Sequence, residues 1–212
     1  MKDYVKAKYD ELFERVPALM PYKSDILAAF ELMTAAFRNG NKLLVCGNGG
    51  SCADSEHITG ELMKSFLLKR PVDKEIAEKL SAYEDGEGLA SLLEGALPVI
   101  SLCGHSALST AFINDKEPLL VFAQQVMGYG NRGDVLLTIS TSGNSKNCVY
   151  AAQVAKAKGL NVIAMTGEND SKLSAIADVT IKVPATETFI IQEYHISVYH
   201  ALCAMLEGEF FA

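Results

Sequence analysis

Five short apolar runs, each bounded by turn-forming residues, limit what this chain can fold into. They are KLLVC (42–46), LPVISL (97–102), DVLLTIS (134–140), NVIAMTG (161–167) and VTIKV (179–183). Unbroken apolar strands of this kind suit a sheet covered on both faces, which is the usual condition of a parallel sheet. Helical segments separate most of them, at Ala53–Phe66, Glu117–Met127, Asn144–Lys158 and Ser171–Ala177. The alternation predicts an α/β protein, a three-layer αβα sandwich around a five-stranded, mostly parallel sheet. Ahead of the first strand, Val5 to Arg38 reads as two helices broken near Pro17 and Pro21. In the second of these, Ile26, Leu27, Phe30, Leu32, Met33 and Phe37 form an apolar stripe. A long helix from Glu187 to about Glu207 closes the chain, with small and apolar residues on more than one face. Residues 72–96 break the rhythm and read as a helical excursion with a Gly-containing turn. The whole of 1–212 is therefore expected to form one domain, with residues 1–40 as a helical extension.

Charge and cysteine content narrow the class of partner. The net charge of −7 and pI near 5.1 disfavour nucleic acid, whose binding rests on neutralising phosphates with Lys and Arg. A small anion remains compatible, because loop amides and helix N-termini hold phosphate without net positive charge. Five cysteines without a CxxC spacing read as reduced thiols rather than a disulfide framework or zinc ribbon. No apolar run approaches a membrane span, and the charged start MKDYVKAKYDELFERV lacks the apolar core of a signal peptide. A cytoplasmic location is the expectation.

Two loops carry the chemistry. CGNGGS follows the first strand directly and precedes a helix, the position where ligands sit in open parallel sheets. Gly47, Gly49 and Gly50 let backbone amides approach an anion; Asn48 and Ser51 add polar side chains. STSGNS (140–145) occupies the same position after the third strand and offers Ser140, Thr141, Ser142 and Ser145. A tight turn and helix capping would explain some of these residues, but not two hydroxyl-rich loops at equivalent strand ends. Neither loop matches GxxxxGK[ST], and GNGGS is a poor GxGxxG, so no nucleotide cofactor is expected.

The loops, their spacing and the five-strand rhythm resemble the sugar isomerase (SIS) domain. CGNGGS with the following His57 and Glu61, together with ISTSGNS and IQEYHISVYH, resembles its phosphoheptose isomerase branch, which interconverts sedoheptulose 7-phosphate and an aldose phosphate. The resemblance spans about Asp25 to Glu207, interrupted by 72–96. It implies Glu61 as the catalytic base and His200 as the acid in an enediol proton transfer. It implies Asp115 and Gln192 near the substrate, and His57, Glu61, Gln192 and His200 as zinc ligands in some members. It further implies a homotetramer acting on a phosphorylated sugar.

Helix geometry bears on these implications. His57 and Glu61 are i,i+4 and share a helix face, whereas Gln192 and His200 are eight residues, about 12 Å, apart along one helix. If both serve one site, that site is expected to be completed across a subunit interface. Asp115 could equally cap a helix beginning at Glu117. His195 turns away from His200 and reads as a structural histidine, and His105 as peripheral. Ser65 stands where relatives carry an arginine, and Phe189-Ile190 where they carry Asp-Arg, so the part that reads the sugar hydroxyls differs. The competing reading is a non-catalytic SIS regulator that binds a phosphosugar or a replication-initiator protein. Such initiator-binding relatives lack the Glu and the final His that this chain retains.

Overall fold

The computed structural model describes residues 1–212. Its sheet holds β1 (Leu43–Gly47), β2 (Val99–Ser101), β3 (Val135–Ile139), β4 (Asn161–Thr166) and β5 (Val179–Lys182). All neighbours are parallel, in the order β2-β1-β3-β4-β5. Every residue of β1 and β3 is buried, as continuous apolar runs require when both faces are covered.

Helices cover the two faces unequally. On one lie α1 (Asp3–Arg15), α2 (Lys23–Arg38), α3 (Gly50–Met63) and α9 (Thr188–Phe211), whose side chains share a core with Leu43, Val45, Leu137 and Ile163. On the other lie α7 (Val121–Tyr129) and α8 (Lys146–Lys158), packed on Leu44, Leu136, Val162 and Ala164. A Gly at position 159 in the left-handed region ends α8, and its amide bonds back to Ala155 and Lys156. Helix α9 is buried continuously from Ala201 to Gly208, because α1, α2 and α3 all pack against it.

Three expectations are corrected. Ser171–Ala177 is a series of turns rather than a helix. The Ser174 hydroxyl donates to the Ser171 carbonyl at 2.8 Å and accepts from the Ser171 amide at 2.8 Å, local bonds that compete with a helical ladder. Helix α6 (Ser106–Asp115) went unread because it has no buried residue and so presents no apolar stripe. Asp115 closes that helix and caps nothing; the cap of the following turn is Glu117, whose carboxylate accepts from the Leu119 amide. The excursion over 72–96 is helical as read, with α4 (Lys74–Leu80) and α5 (Gly86–Leu92) on either side of a turn.

Two buried polar groups matter to stability. Arg70 and Glu207 form an ion pair with both side chains fully buried, Nε to Oε1 at 2.8 Å. Glu207 also accepts from the amides of Phe66, Leu67 and Leu68, while Arg70 donates to the carbonyls of Glu61 and Leu62. Glu207→Ala strands the guanidinium, and urea denaturation should register a loss of roughly 3–5 kcal/mol. Arg70→Met with Glu207→Met should recover a large part of it.

His195 is buried and donates from Nε2 to the Thr166 carbonyl at 3.4 Å, while its Nδ1 has no partner. Burial pushes its pKa down to about 4. The unfolded chain therefore binds a proton that the folded chain refuses between about pH 6.5 and 4. Stability from this group is present above pH 6.5 and lost as pH falls toward 4, by about 3 kcal/mol. A His195→Met variant should show a flatter acid limb in denaturation than the wild type.

Candidate active site

The strand order reverses direction at β1 and β3, which are adjacent, with Gly47 paired to Ile139. Their following helices, α3 and α8, lie on opposite faces, so the two loops open a crevice between them. This is the switch point at which ligands bind in doubly wound sheets.

Each loop is shaped by its own sequence. Gly49 has φ 57 and ψ −119, a backbone setting closed to side chains with a Cβ. The Cβ position of Gly50 lies 2.5 Å from Gln192 Nε2, so a side chain there would displace the Gln192 amide from where it rests. Ser51 is nearly buried, and no side chain caps α3. In the second loop the hydroxyls of Ser140 and Ser145 bond each other at 3.0 Å, and Ser142 accepts from the Asn144 amide at 3.2 Å. Ser145 occupies the N-cap of α8 without a capping bond from its side chain. Asn48 and Asn147 exchange amide bonds of 2.9 and 2.8 Å and tie the first loop to α8. Beside the second loop a cavity of about 230 Å³ is lined by Thr141, Ser142, Asn144, Gly167, Glu168 and Ile191, among others.

Down one face of α3 run Asp54, His57 and Glu61, at helical spacing. His57 Nε2 stands 3.1 Å from Glu61 Oε1 and 3.5 Å from His200 Nε2. His57 Nδ1 meets the Tyr199 hydroxyl at 3.0 Å, which in turn donates to Asp54 Oδ1 at 3.3 Å. The His200 ring lies edge-on to His57 and tilted against Phe66. Glu61 is largely sequestered: its Oε2 is buried without a hydrogen-bond partner, and Lys64 Nζ stops 3.7 Å away. Burial, with His57 adding, holds His200 below the usual imidazole range. Burial lifts the Asp54 carboxyl, against the opposing pull of Tyr199 and His57, and burial with the Asp54 charge raises Tyr199.

The residues expected at the site thus separate into two groups on one helix. Gln192 meets the first turn of α3 at Gly50, and His200 meets it two turns later at His57. His57, Glu61 and His200 adjoin, but no three His, Cys, Asp or Glu side chains converge as a metal-holding group. The four-residue zinc set is therefore not assembled within one chain. Asp115 is exposed and accepts only from Asn114. Ser65 gives its amide to Glu94, and Phe189 is exposed. Sequence reading missed Asp54 and Tyr199; Asp54 lies one turn before His57, and the i−3 spacing was the available signal.

A doubly wound α/β fold with hydroxyl-rich loops at its switch point, and a buried carboxylate beside two imidazoles, defines a ligand-binding protein equipped for proton transfer. The SIS domain model matches residues 7–87 and 80–167, and the chain belongs to this family. It is 32% identical over 211 residues to the phosphoheptose isomerase of Akkermansia muciniphila, covering 100% of this chain and 99% of that one. It is 36% identical over 182 residues to that of Rhodospirillum rubrum, covering 86% and 84%. Among solved structures it is similar to the phosphoheptose isomerase of Neisseria gonorrhoeae, at 32% identity and TM-score 0.72 over 96% of this chain and 93% of the other. For the Francisella tularensis enzyme the values are 31%, 0.74, 97% and 95%.

The loop geometry is testable by stability alone. Gly49→Ala should destabilise by roughly 1–3 kcal/mol in urea unfolding, because the backbone there is closed to alanine.

Proposed function

We propose that this protein is an aldose–ketose isomerase of a phosphorylated sugar, with a sedoheptulose 7-phosphate-like substrate. The observation that carries the reading is the arrangement on α3. The crevice of Gly47–Ser51 and Ser140–Ser145 lies at its first turn, and Glu61, His57 and His200 gather toward its other end. Asn48, Gly49, Gly50, Ser51, Ser140, Thr141, Ser142 and Ser145 cradle the phosphate, with Gln192 against the same turn. Ser51 and Glu61 are separated by about 15 Å of helix axis.

In the reaction Glu61 removes the proton on the carbon beside the carbonyl, and the electron pair moves to form an enediol. His200 delivers a proton to the carbonyl oxygen, and the reverse transfers on the neighbouring carbon complete the isomerisation. Burial, with His57 adding, holds His200 below the usual imidazole range. The Oε2 of Glu61 is buried and accepts no hydrogen bond, with Lys64 Nζ at 3.7 Å as its ion-pair partner, which leaves a lone pair for this role.

The donor chemistry fits zinc, since a carboxylate and two imidazoles are standard ligands. Within one chain His57, Glu61 and His200 do not converge on a metal; brought together they would be the residues to hold it, and a bound zinc would polarise the sugar carbonyl. Gln192, two turns away in the same chain, would reach such a site only from another subunit. A homo-oligomer, a tetramer in this reading, and a cytoplasmic location complete the proposal. No helix is long and apolar enough to cross a membrane. One unit over 1–212, with 1–40 and 72–96 as helical additions, is the corresponding domain description.

The test is NMR of ketose and aldose phosphates with the protein in deuterated water. Solvent deuterium should enter the carbon next to the carbonyl of a heptose phosphate. Glu61→Gln should slow that exchange by roughly 10²–10⁴-fold, and His200→Ala should slow interconversion on the same scale. Failure of the wild type to exchange a proton on any phosphosugar would leave a binding protein, not an enzyme.

A further inference from the structure

The two loops reach the crevice from different strands, and the first has little of its own to hold it in shape. Three of its five residues, Gly47–Ser51, are glycines, Gly49 sits at positive φ, and no side chain caps the helix that follows. A loop of that composition loses more backbone freedom on ordering than any other. The second loop runs into α8, whose head is braced from within. Asn147, in the first turn, accepts the Cys148 amide on its Oδ1 at 3.0 Å. That bond settles how the Asn147 amide is turned, because an N–H must meet oxygen and not the NH₂ group. Asn147 Nδ2 then donates to Asn48 Oδ1 at 2.8 Å, and Asn48 Nδ2 donates back to Asn147 Oδ1 at 2.9 Å. Asn48 Nδ2 also approaches Cys148 Sγ at 3.9 Å. Flipping either amide alone would set oxygen against oxygen and NH₂ against NH₂. The pair therefore has one register, fixed by the backbone of α8, and it joins the side chain of the first loop to the helix of the second.

We propose that Asn147 is a positioning residue: its amide, paired both ways with that of Asn48, locks the first loop to the head of α8 so that both loops meet a phosphate as one cradle. The proposal rests on reading the two loops as that cradle. What the pair supplies is pre-organisation, since a loop ordered before the ligand arrives does not draw its ordering from the binding energy. Losing either amide frees the first loop, and phosphate capture weakens. His57, Glu61 and His200 bond among themselves toward the other end of α3, and neither asparagine touches them. A phosphate ester once seated should therefore react as before.

The experiment titrates inorganic phosphate into the full chain by calorimetry and follows turnover of a heptose phosphate alongside. Asn147→Ala and Asn48→Ala should each weaken phosphate binding by about 5–10-fold. The double variant should be no weaker than about the worse single, because both substitutions remove the same pair. Asn147→Gln keeps a donor and an acceptor and should bind phosphate more tightly than Asn147→Ala. In turnover, Asn147→Ala should raise KM by the same factor and change kcat less than about twofold, the pattern of lost binding common to ground and transition states. Asn147→Ser, which suits a first helical turn but cannot form the two-way pair, replaces Asn147→Ala if the latter fails to fold.

Losses that multiply in the double variant would mean that Asn48 and Asn147 meet the ligand separately, and the proposal falls. Unchanged phosphate affinity in Asn147→Ala overturns it as well, as does a drop in kcat at constant KM. A wild type that binds no phosphate removes the cradle reading and the proposal together. One that binds phosphate but turns over no sugar defeats the isomerase reading alone, and the calorimetry still decides for or against Asn147.

Discussion

The interior ion pair of Arg70 and Glu207 ties the end of α3 to α9, the helix that faces it. Neither side chain reaches solvent, so desolvation costs several kcal/mol per charge, and only dense hydrogen bonding offsets it. That bonding is present. Glu207 accepts from three successive amides and from the guanidinium, and Arg70 donates to the carbonyls of Glu61 and Leu62 while stacking on Phe211. Those carbonyls belong to the last turn of α3, which has no intrahelical donors left to satisfy it. A cation there also meets the negative end of the helix dipole. The backbone of Glu61 is thus fixed from α9, the helix that also carries Tyr199 and His200.

This makes α9 a backbone for the site as well as a core element. Its side chains reach α3 at successive levels: Gln192 at Gly50, Tyr199 at Asp54 and His57, His200 at His57, and Glu207 at the segment following α3. The cost of that service is a helix with no solvent stripe over Ala201–Gly208. That is why its sequence shows apolar residues on more than one face.

The strands and the two loops were legible because both are local. An apolar run between turn residues is a strand whichever neighbours it finds, and a glycine-hydroxyl loop announces itself by composition. Ser106–Asp115 was not legible, since a helix with no buried face carries no periodic signal. Ser171–Ala177 misled because serines bonded to their own backbone outweighed helical spacing. His57 and Glu61 could be paired from i,i+4 spacing, but nothing in the sequence singled out Tyr199 beside His200. Its role depends on Asp54, 145 residues earlier, and no local pattern reports such a contact. Arg70 and Glu207 are 137 residues apart and escaped for the same reason.

The separation of Gln192 from His200 illustrates how far helix geometry constrains a ligand set. Eight residues along α9 place them at different turns of α3, and the structure keeps them there. A single chain therefore offers the loop crevice an amide and offers the cluster of His57 and Glu61 an imidazole, not both to one point. Any metal bound by all four residues needs α9 of a second copy, and the face of His57 and His200 must then be open to it. It is open on the side of Lys8, Glu11 and Arg15, where a cavity of about 240 Å³ reaches His200 and Phe66. The helix α1 that lines this cavity also packs along α9, so it borders His200 rather than merely preceding the sheet.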